Sequence, residues 1–422
     1  MSKYCAFILC ISFYTAQAQS STTRFFEIKQ DTVKKNFFLK QLGNGYFPTK
    51  YFNFDLRYLV KYNQYEGLRT GLGGVTSKNF SEKFKVNGYT VYGFRDDAYK
   101  YSIGGSVRLN KQTNTWLSIS YTDDLQETGS SKFLTDTRFF QFFEPRLLNI
   151  DLFHRHITQA VSIKHKFHPK LSTEAQFATS NVEPTYNYVF NLNGTSFNKF
   201  QFSTTTVSMQ WSPFSKFKIE DNLTKNIKDA YPKFTLQFTK SVKGIFKSDF
   251  NFSKVDFKTI HRHLHKNKNV SELTLVSGIA SGDVPLTHLY HAYPNNINKE
   301  TILQRFSVAG ITSFETMFFN EFFSDKFTTV QFKHFLKPFE VSQRFKPQLV
   351  LISRFAIGDI ENPSQHENIV FGSLNKGYTE SGFELNKLLF GFGLSFTYRY
   401  GAYHLPSIAD NVAFKFTFNL TL

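Results

Sequence analysis

Cysteine is almost absent from this chain. It has two, Cys5 and Cys10, both near the start. A chain without further thiols is no disulfide scaffold and has no cysteine metal site. Long apolar runs are missing too. Beyond residue 18 no stretch reaches the roughly 20 apolar residues that a helical membrane span needs, which excludes spanning helices. There is no phosphate loop, dinucleotide fingerprint or haem motif. Acid is short against base, 33 Asp and Glu to 50 Lys and Arg, for a net charge of +17. The basic residues stand singly between aromatics, with no basic helix or arm, so the excess does not read as a nucleic-acid surface.

What the chain has in excess is phenylalanine and tyrosine, 52 and 21, at a mean hydropathy of −0.32. High aromatic content in a polar average is what strands with one apolar face and one wet face produce. Val412, Phe414, Phe416, Phe418, Leu420 and Leu422 alternate with Ala413, Lys415, Thr417, Asn419 and Thr421, strictly and to the last residue. A soluble protein seldom ends on so apolar an edge. The same alternation runs through Phe52–Tyr62 and Phe390–Tyr400.

With helices excluded, a closed barrel is the way to cross a bilayer with every backbone group paired. The expected fold is therefore all-β, a transmembrane antiparallel β-barrel of about 16 strands, with 14 or 18 as alternatives. Candidate strands lie near 52–62, 66–76, 83–94, 98–110, 114–123, 157–168, 171–180, 201–212, 232–242, 248–259, 270–280, 313–323, 326–336, 346–357, 377–387, 389–400 and 411–422. Bacterial barrels favour even numbers, so one of these should be a loop or plug. Segments 124–156, 181–199, 213–231, 281–312 and 359–376 read as external loops or lumen plugs.

Lys3, the apolar run Tyr4–Tyr14 and Thr15-Ala16-Gln17-Ala18 form the pattern of a cleaved secretory signal. The organisation expected is a signal peptide at 1–18, an N-terminal lead or plug segment at 19–50, and the barrel at 51–422. The address implied is the bacterial outer membrane. The C-terminal strand has the form of the sorting signal read by the barrel-assembly machinery, although it ends in Leu422 where Phe is usual. The positive charge suits outer-membrane lipid and lipopolysaccharide, or an anionic solute, and equally the solvation of a lumen.

Charges on the polar faces should point into the lumen, because facing lipid at mid-bilayer costs about 2–4 kcal/mol each. Asp55, Arg57, Glu66, Arg69, Asp96, Lys100, Asp325 and Arg399 are the candidates for lumen or register charges. Glu66/Arg69 and Asp96/Lys100 could form a cross-strand ion-pair network that acts as a gate, or serve as ordinary lumen packing.

Sites with catalytic or metal chemistry are weak. His261-Arg262-His263-Leu264-His265 would place His261 and His265 about 13 Å apart on a strand, too far to share one metal. His154 and His156 flank Arg155. His288 near Ser281 and Asp283 is the one local cluster that suggests a rim hydrolase. No catalytic, cofactor or metal residue is assigned.

Asn63-Gln-Tyr-Glu-Gly-Leu-Arg69, Gly88-Tyr-Thr-Val-Tyr-Gly-Phe-Arg-Asp96, Gly282-Asp-Val-Pro-Leu286 and Asn320-Glu-Phe-Phe-Ser-Asp-Lys-Phe327, with Tyr378-Thr-Glu-Ser-Gly382, occur in one order. This resembles a family of Bacteroidota outer-membrane barrels of unknown function. Longer members carry an N-terminal carboxypeptidase-regulatory-like domain, and residues 19–50 are too short to hold one. Asp325-Lys326 stands where the family pattern has Asp-Arg, which loses a bidentate donor. The barrel implied is similar in size to 16-stranded assembly and translocation barrels of the BamA type. The function expected is non-enzymatic, in transport, translocation or assembly at the outer membrane. The alternatives are a barrel-rim hydrolase or acyltransferase acting on lipid or peptide, and a surface-loop binding or structural protein.

Overall fold

The computed structural model describes residues 38, 41–136, 146, 150–220, 223–228, 230–297, 307–342, 345–389 and 391–418. The expected signal at 1–18, most of the lead at 19–50 and the last four residues of the C-terminal strand lie outside the described residues.

Alternating sequence becomes strand almost throughout. Three short pieces come first, β1 (Tyr46–Pro48), β2 (Phe52–Asp55) and β3 (Val60–Asn63). Long strands follow: β4 (Gly67–Thr76), β5 (Phe84–Gly93), β6 (Ala98–Asn110), β7 (Thr115–Glu127), β8 (Phe153–His168) and β9 (Leu171–Pro184). A hairpin of β10 (Val189–Leu192) and β11 (Thr195–Phe197) precedes β12 (Phe200–Trp211). A second hairpin, β13 (Lys216–Glu220) and β14 (Leu223–Lys228), leads to β15 (Lys233–Ser241), β16 (Phe252–Leu264) and β17 (Val270–Gly282). Then come β18 (Pro294–Asn296), β19 (Phe314–Phe318), β20 (Lys326–Phe335) and β21 (Gln348–Asp359). The chain finishes with β22 (His366–Glu367), β23 (Tyr378–Leu389), β24 (Phe392–Tyr400) and β25 (Val412–Phe418).

One 18-stranded sheet holds all of these except β10, β11, β13, β14, β18, β19 and β22. From β4 to β25 each wall strand pairs antiparallel with the next in sequence. Both β2 and β3 lie against β4 and so share one wall position, with β1 on the far edge of β2. The wall therefore has sixteen positions, as the alternation predicts. Among the described residues β25 does not pair with β2 or β3. Its free edge instead takes a parallel bridge from Val308 to Phe416, with Ala309 N–H donating to Phe416 O at 2.7 Å.

Side chains divide by face as the period-two pattern requires. On β21, Leu351, Phe355 and Ile357 are exposed, while Val350, Ile352, Arg354 and Ala356 are buried. On β24, Ser395, Thr397 and Arg399 are buried between outward Phe392, Tyr398 and Tyr400. Exposed aromatics cluster towards both ends of the outward face. Phe94, Tyr99 and Tyr101 stand at one end, and Phe84, Phe167, Trp211 and Phe392 at the other. An apolar outer band between aromatic girdles is the surface of a transmembrane barrel.

Three expectations need correction. The segment 52–62 is not one strand. Asp55 accepts from Arg57 N–H at 3.1 Å and caps a short 3₁₀ turn at Leu56–Tyr58. That turn rotates Tyr58 inward, where it stacks on Tyr89 with ring centres 4.1 Å apart. The segment 313–323 is not wall: its one strand, β19, pairs in parallel with β18, away from the large sheet. The connection at 213–231 does not share an end with the other long connections. Hairpin parity places it with the short turns at 77–83, 111–114 and 265–269, opposite the long connections at 128–152, 185–199, 283–325 and 360–377.

At the long-loop end an aromatic core forms, in which Tyr188, Phe190, Phe200, Phe202, Phe250 and Phe252 pack with Leu286, Leu289 and Tyr290. The connections at this end are thereby folded against one another.

Candidate functional site: a plug docked on buried charges

The connection between β17 and β20 does not stay outside. Its strand β19 reads Phe-Glu-Thr-Met-Phe, and Phe314, Glu315, Thr316 and Met317 are all buried. The apolar side chains pack with Ala356, Leu374 and Tyr378 on and beside the wall. The carboxylate in the middle of this run must be paired, because an isolated buried charge is prohibitively costly.

Glu315 has partners on both sides. Ser313 donates its hydroxyl at 2.7 Å, Gly310 N–H donates at 3.0 Å and Asn295 Nδ2 at 2.7 Å. Lys415, on the inner face of β25, approaches its Oε2 to 3.0 Å. Burial pushes Glu315 up, but Lys415, Arg354 and Ser313 outweigh it and leave the group below the usual carboxylate range.

The wall reciprocates. Glu380 on β23 accepts from the backbone N–H of Glu315 at 2.9 Å and of Thr316 at 3.0 Å. Arg354 on β21 holds the same carboxylate at 2.7 Å, both side chains fully shielded. One turn further, Glu321 meets Arg399 of β24 in a two-pronged pair at 2.6 and 3.1 Å. Lys333 and Glu384 pair across the inner wall at 3.3 Å. These four cations are matched by four carboxylates.

A second segment enters from the β7–β8 connection. Leu134 N–H donates to Gln237 Oε1 at 2.9 Å, Gln237 Nε2 donates to Lys132 O at 3.0 Å, and Thr135 meets Ser208 at 3.0 Å. Its neighbour Glu127 accepts from Arg146 and from His291 Nε2, the latter at 2.7 Å, which joins the two inserted segments.

The charges expected from sequence fall into four groups. Glu66, Arg69, Asp96 and Lys100 form one network. Arg69 takes Asp124 in bidentate fashion at 2.7 and 2.8 Å and reaches Glu66 at 3.2 Å. Lys100 holds Glu66 at 2.8 Å and also Asp96. Tyr89 O–H donates to Asp124 as well. This network joins β4, β5, β6, β7 and the β3–β4 turn, and among the described residues none of its bonds runs to the plug. Arg399 does hold the plug. Asp55 and Arg57 pair with each other at 2.8 Å, beside the 3₁₀ turn. Asp325 accepts from Glu361 N–H at 2.7 Å at the long-loop end, so it fixes a loop and not the lumen.

The rim cluster does not assemble. His288 stands in a box of Phe202 and Phe252, and its nearest polar partner is Thr287 Oγ1 at 3.0 Å. Asp283 instead accepts from Asn251 N–H at 3.2 Å. Among the described residues no group of three or more His, Cys, Asp and Glu is placed to hold a metal.

Sequence reasoning missed Glu315, Glu321, Arg354, Glu380 and Glu384. Arg354 and Glu380 look like any polar members of alternating strands. Glu315 carried a readable signal, a single acid inside the apolar run 314–318, but its partner Glu380 is 65 residues away.

A sixteen-position antiparallel wall with a loop docked inside is the geometry against which known proteins can be compared. The chain matches the C-terminal domain of a family of unknown function, DUF5686, over residues 42–336. It belongs to that family. No curated protein matches the chain. Among solved structures, this DUF5686 protein is similar to BamA from Haemophilus ducreyi lacking POTRA domains 1–3. The TM-score is 0.50 at 11% identity, over 85% of this chain and 68% of that one. It is also similar to CdiB from Acinetobacter baumannii, with a TM-score of 0.44 at 12% identity, over 84% of this chain and 57% of that one. CdiB from Escherichia coli gives 0.43 at 8% identity, over 84% and 60%. The likeness to BamA bears on fold: the DUF5686 domain has the architecture of an outer-membrane β-barrel.

Proposed function

We propose that this protein is a plugged barrel of the bacterial outer membrane, working in transport, translocation or assembly without chemistry in its lumen. Residues 1–18 export it, and the C-terminal strand presents it to the barrel-assembly machinery. Because a C-terminal strand of this kind ends in the periplasm, the long-loop end faces outward, towards lipopolysaccharide.

The observation that carries this reading is the docking of β19 on the wall through Glu315, Glu380, Arg354 and Lys415. A segment held by paired charges and hydrogen bonds has a definite docked state. It can also leave as a unit, since its own apolar stretch is short. Cargo would pass only with the plug undocked.

Single-channel recording of the refolded mature protein in planar bilayers tests this directly. The wild type should be nearly silent, and Lys415→Met, which strands the buried Glu315 charge, should show steady current. A large, steady wild-type conductance would instead make it an open diffusion pore and remove the plug's role.

A further inference from the structure

The run His261–His265 and the turn that follows it lie at the short-turn end, away from the plug. Ser271, on β17, sits in register between His263 of β16 and His334 of β20. It shares the outward face with Leu273, whose side chain is exposed. The Ser271 hydroxyl is held by two imidazoles, at 2.8 Å from His265 Nε2 and 2.9 Å from His334 Nδ1.

The protons in this chain can be placed. Lys337 N–H donates to Asn269 Oδ1 at 2.9 Å, which fixes the amide and turns Nδ2 towards His334 Nε2 at 3.4 Å. An Nε2 that accepts is unprotonated, so neutral His334 carries its proton on Nδ1 and donates it to Ser271 Oγ. With that bond accepted, the Ser271 hydroxyl hydrogen is free to point at His265 Nε2, 2.8 Å away. A serine hydroxyl within hydrogen-bond reach of an imidazole nitrogen is a nucleophile–base pair, and here His334 and Asn269 orient the hydroxyl.

The surroundings indicate the substrate. Exposed Leu351 continues this row beyond His334, and exposed Leu273 and Phe332 pair with each other in the next outward row. Lys266 and Lys268 are exposed in the adjoining turn. An apolar floor beside a cationic rim, at the edge of the membrane-facing band, fits an amphiphile with an anionic head and an acyl ester between.

We propose that Ser271 is the nucleophile of an acyl-ester hydrolase site on the outer wall of the barrel, with a glycerophospholipid as substrate. Ser271 Oγ adds to the ester carbonyl carbon as its proton passes to His265 Nε2. The tetrahedral adduct collapses, the C–O bond to the glycerol oxygen breaks, and that oxygen leaves with the proton from His265. Water then adds to the acyl-serine, giving its proton to His265, and the free acid departs as Ser271 regains a proton. Ester and water become acid and alcohol, with no other reactant. His334 and Asn269 are positioning residues.

The test uses the refolded mature protein in phospholipid–detergent micelles, treated with a fluorophosphonate probe and mapped by mass spectrometry. Labelling should fall on Ser271 and vanish in Ser271→Ala. It should slow about 100-fold or more in His265→Ala, the scale of lost general-base help, and recover partly with added imidazole. His334→Asn keeps an N–H near the position of Nδ1 and should retain labelling that His334→Ala loses. Fatty acid should be released from phosphatidylethanolamine by wild type and not by Ser271→Ala. An unlabelled Ser271 in wild-type protein that migrates as a folded, heat-modifiable barrel would overturn the proposal. So would labelling indifferent to His265→Ala. The plug reading stands apart from this result, because Ser271→Ala should leave single-channel behaviour unchanged.

Discussion

Lys415 and Glu315 meet at 3.0 Å with both side chains almost fully shielded, one on the last wall strand and the other on the plug. The pair is the point where the closing region of the sheet and the inserted segment hold each other, since Ser307 and Ala309 also bond to Phe416 next door. A buried pair of this kind contributes little net stability while intact, but losing one partner strands the other.

Lys415→Met should therefore destabilise the docked plug by about 3–5 kcal/mol, the usual cost of an orphaned buried charge. Glu315→Gln with Lys415→Met should cost less than Lys415→Met alone, because no charge is left unpaired. Protease sensitivity of the 283–325 connection, read by limited digestion of the folded barrel, gives the ranking. Equal sensitivity of single and double variants would mean that the pair does not hold the plug.

Arg354 and Glu380 provide a sharper version of the same argument. Glu380 serves Arg354, two plug N–H groups and the Thr316 hydroxyl together, so Glu380→Gln removes a charge that four donors share. Its effect on plug release should exceed that of Glu384→Gln, which pairs only within the wall. Cysteine accessibility at an introduced Met317→Cys measures release, and the cysteine-poor sequence supplies the clean background.

Much of this architecture is readable in the sequence, and the limits have physical causes. Period-two alternation identifies strands wherever one face meets lipid, as in β21, β24 and β25. It fails at 52–62, where Asp55 caps a 3₁₀ turn, because a local side chain to backbone bond competes with the ladder. It fails again at 313–323, because a plug strand buried on all sides has the same composition as a wall strand. The network of Glu66, Arg69, Asp96 and Lys100 was legible since its members are close in sequence. Asp124 was not, being 55 residues from Arg69.

The long-loop cap should loosen in acid. Burial, with the charge of Lys254, holds His288 down to about 3, and burial holds His366 down to about 4. His366 stays neutral to accept from Tyr188 O–H at 2.7 Å, and Tyr188 in turn accepts from Leu286 N–H at 2.9 Å. In an opened cap both imidazoles would titrate near ~6.5. The opened state then binds protons that the closed state does not. The stabilisation is complete above about 6.5 and is lost progressively as pH falls towards the folded values. Hydrogen exchange of residues 286–290 at pH 7.5 and pH 5 should show faster opening in acid. His366→Gln should flatten that difference, and a pH-independent rate in the wild type would rule the mechanism out.

Export makes a prediction at the N-terminus. If Ala16-Gln17-Ala18 is the processing site, protein recovered from outer-membrane fractions should begin at Gln19. Edman or mass-spectrometric sequencing reads this directly. An intact Met1 in the membrane fraction would mean that the apolar run is kept as an anchor.

The two faces of a wall strand should answer oppositely to the same charge. On β8, Val161 points outward and is 48% exposed, while Ser162 points inward beside Gln176 and Ser118. Val161→Arg puts a guanidinium in the apolar band, where charge costs about 2–4 kcal/mol at the midplane. Ser162→Arg places the same group among polar side chains and avoids that desolvation. Chemical denaturation in lipid vesicles should therefore show a clear loss for Val161→Arg and a much smaller one for Ser162→Arg. In a detergent that wets the band the difference should shrink, because the penalty comes from lipid and not from packing. If both variants lost the same stability in vesicles, the outward face of β8 would not be in contact with lipid, and the membrane-spanning assignment of this wall would fail with it.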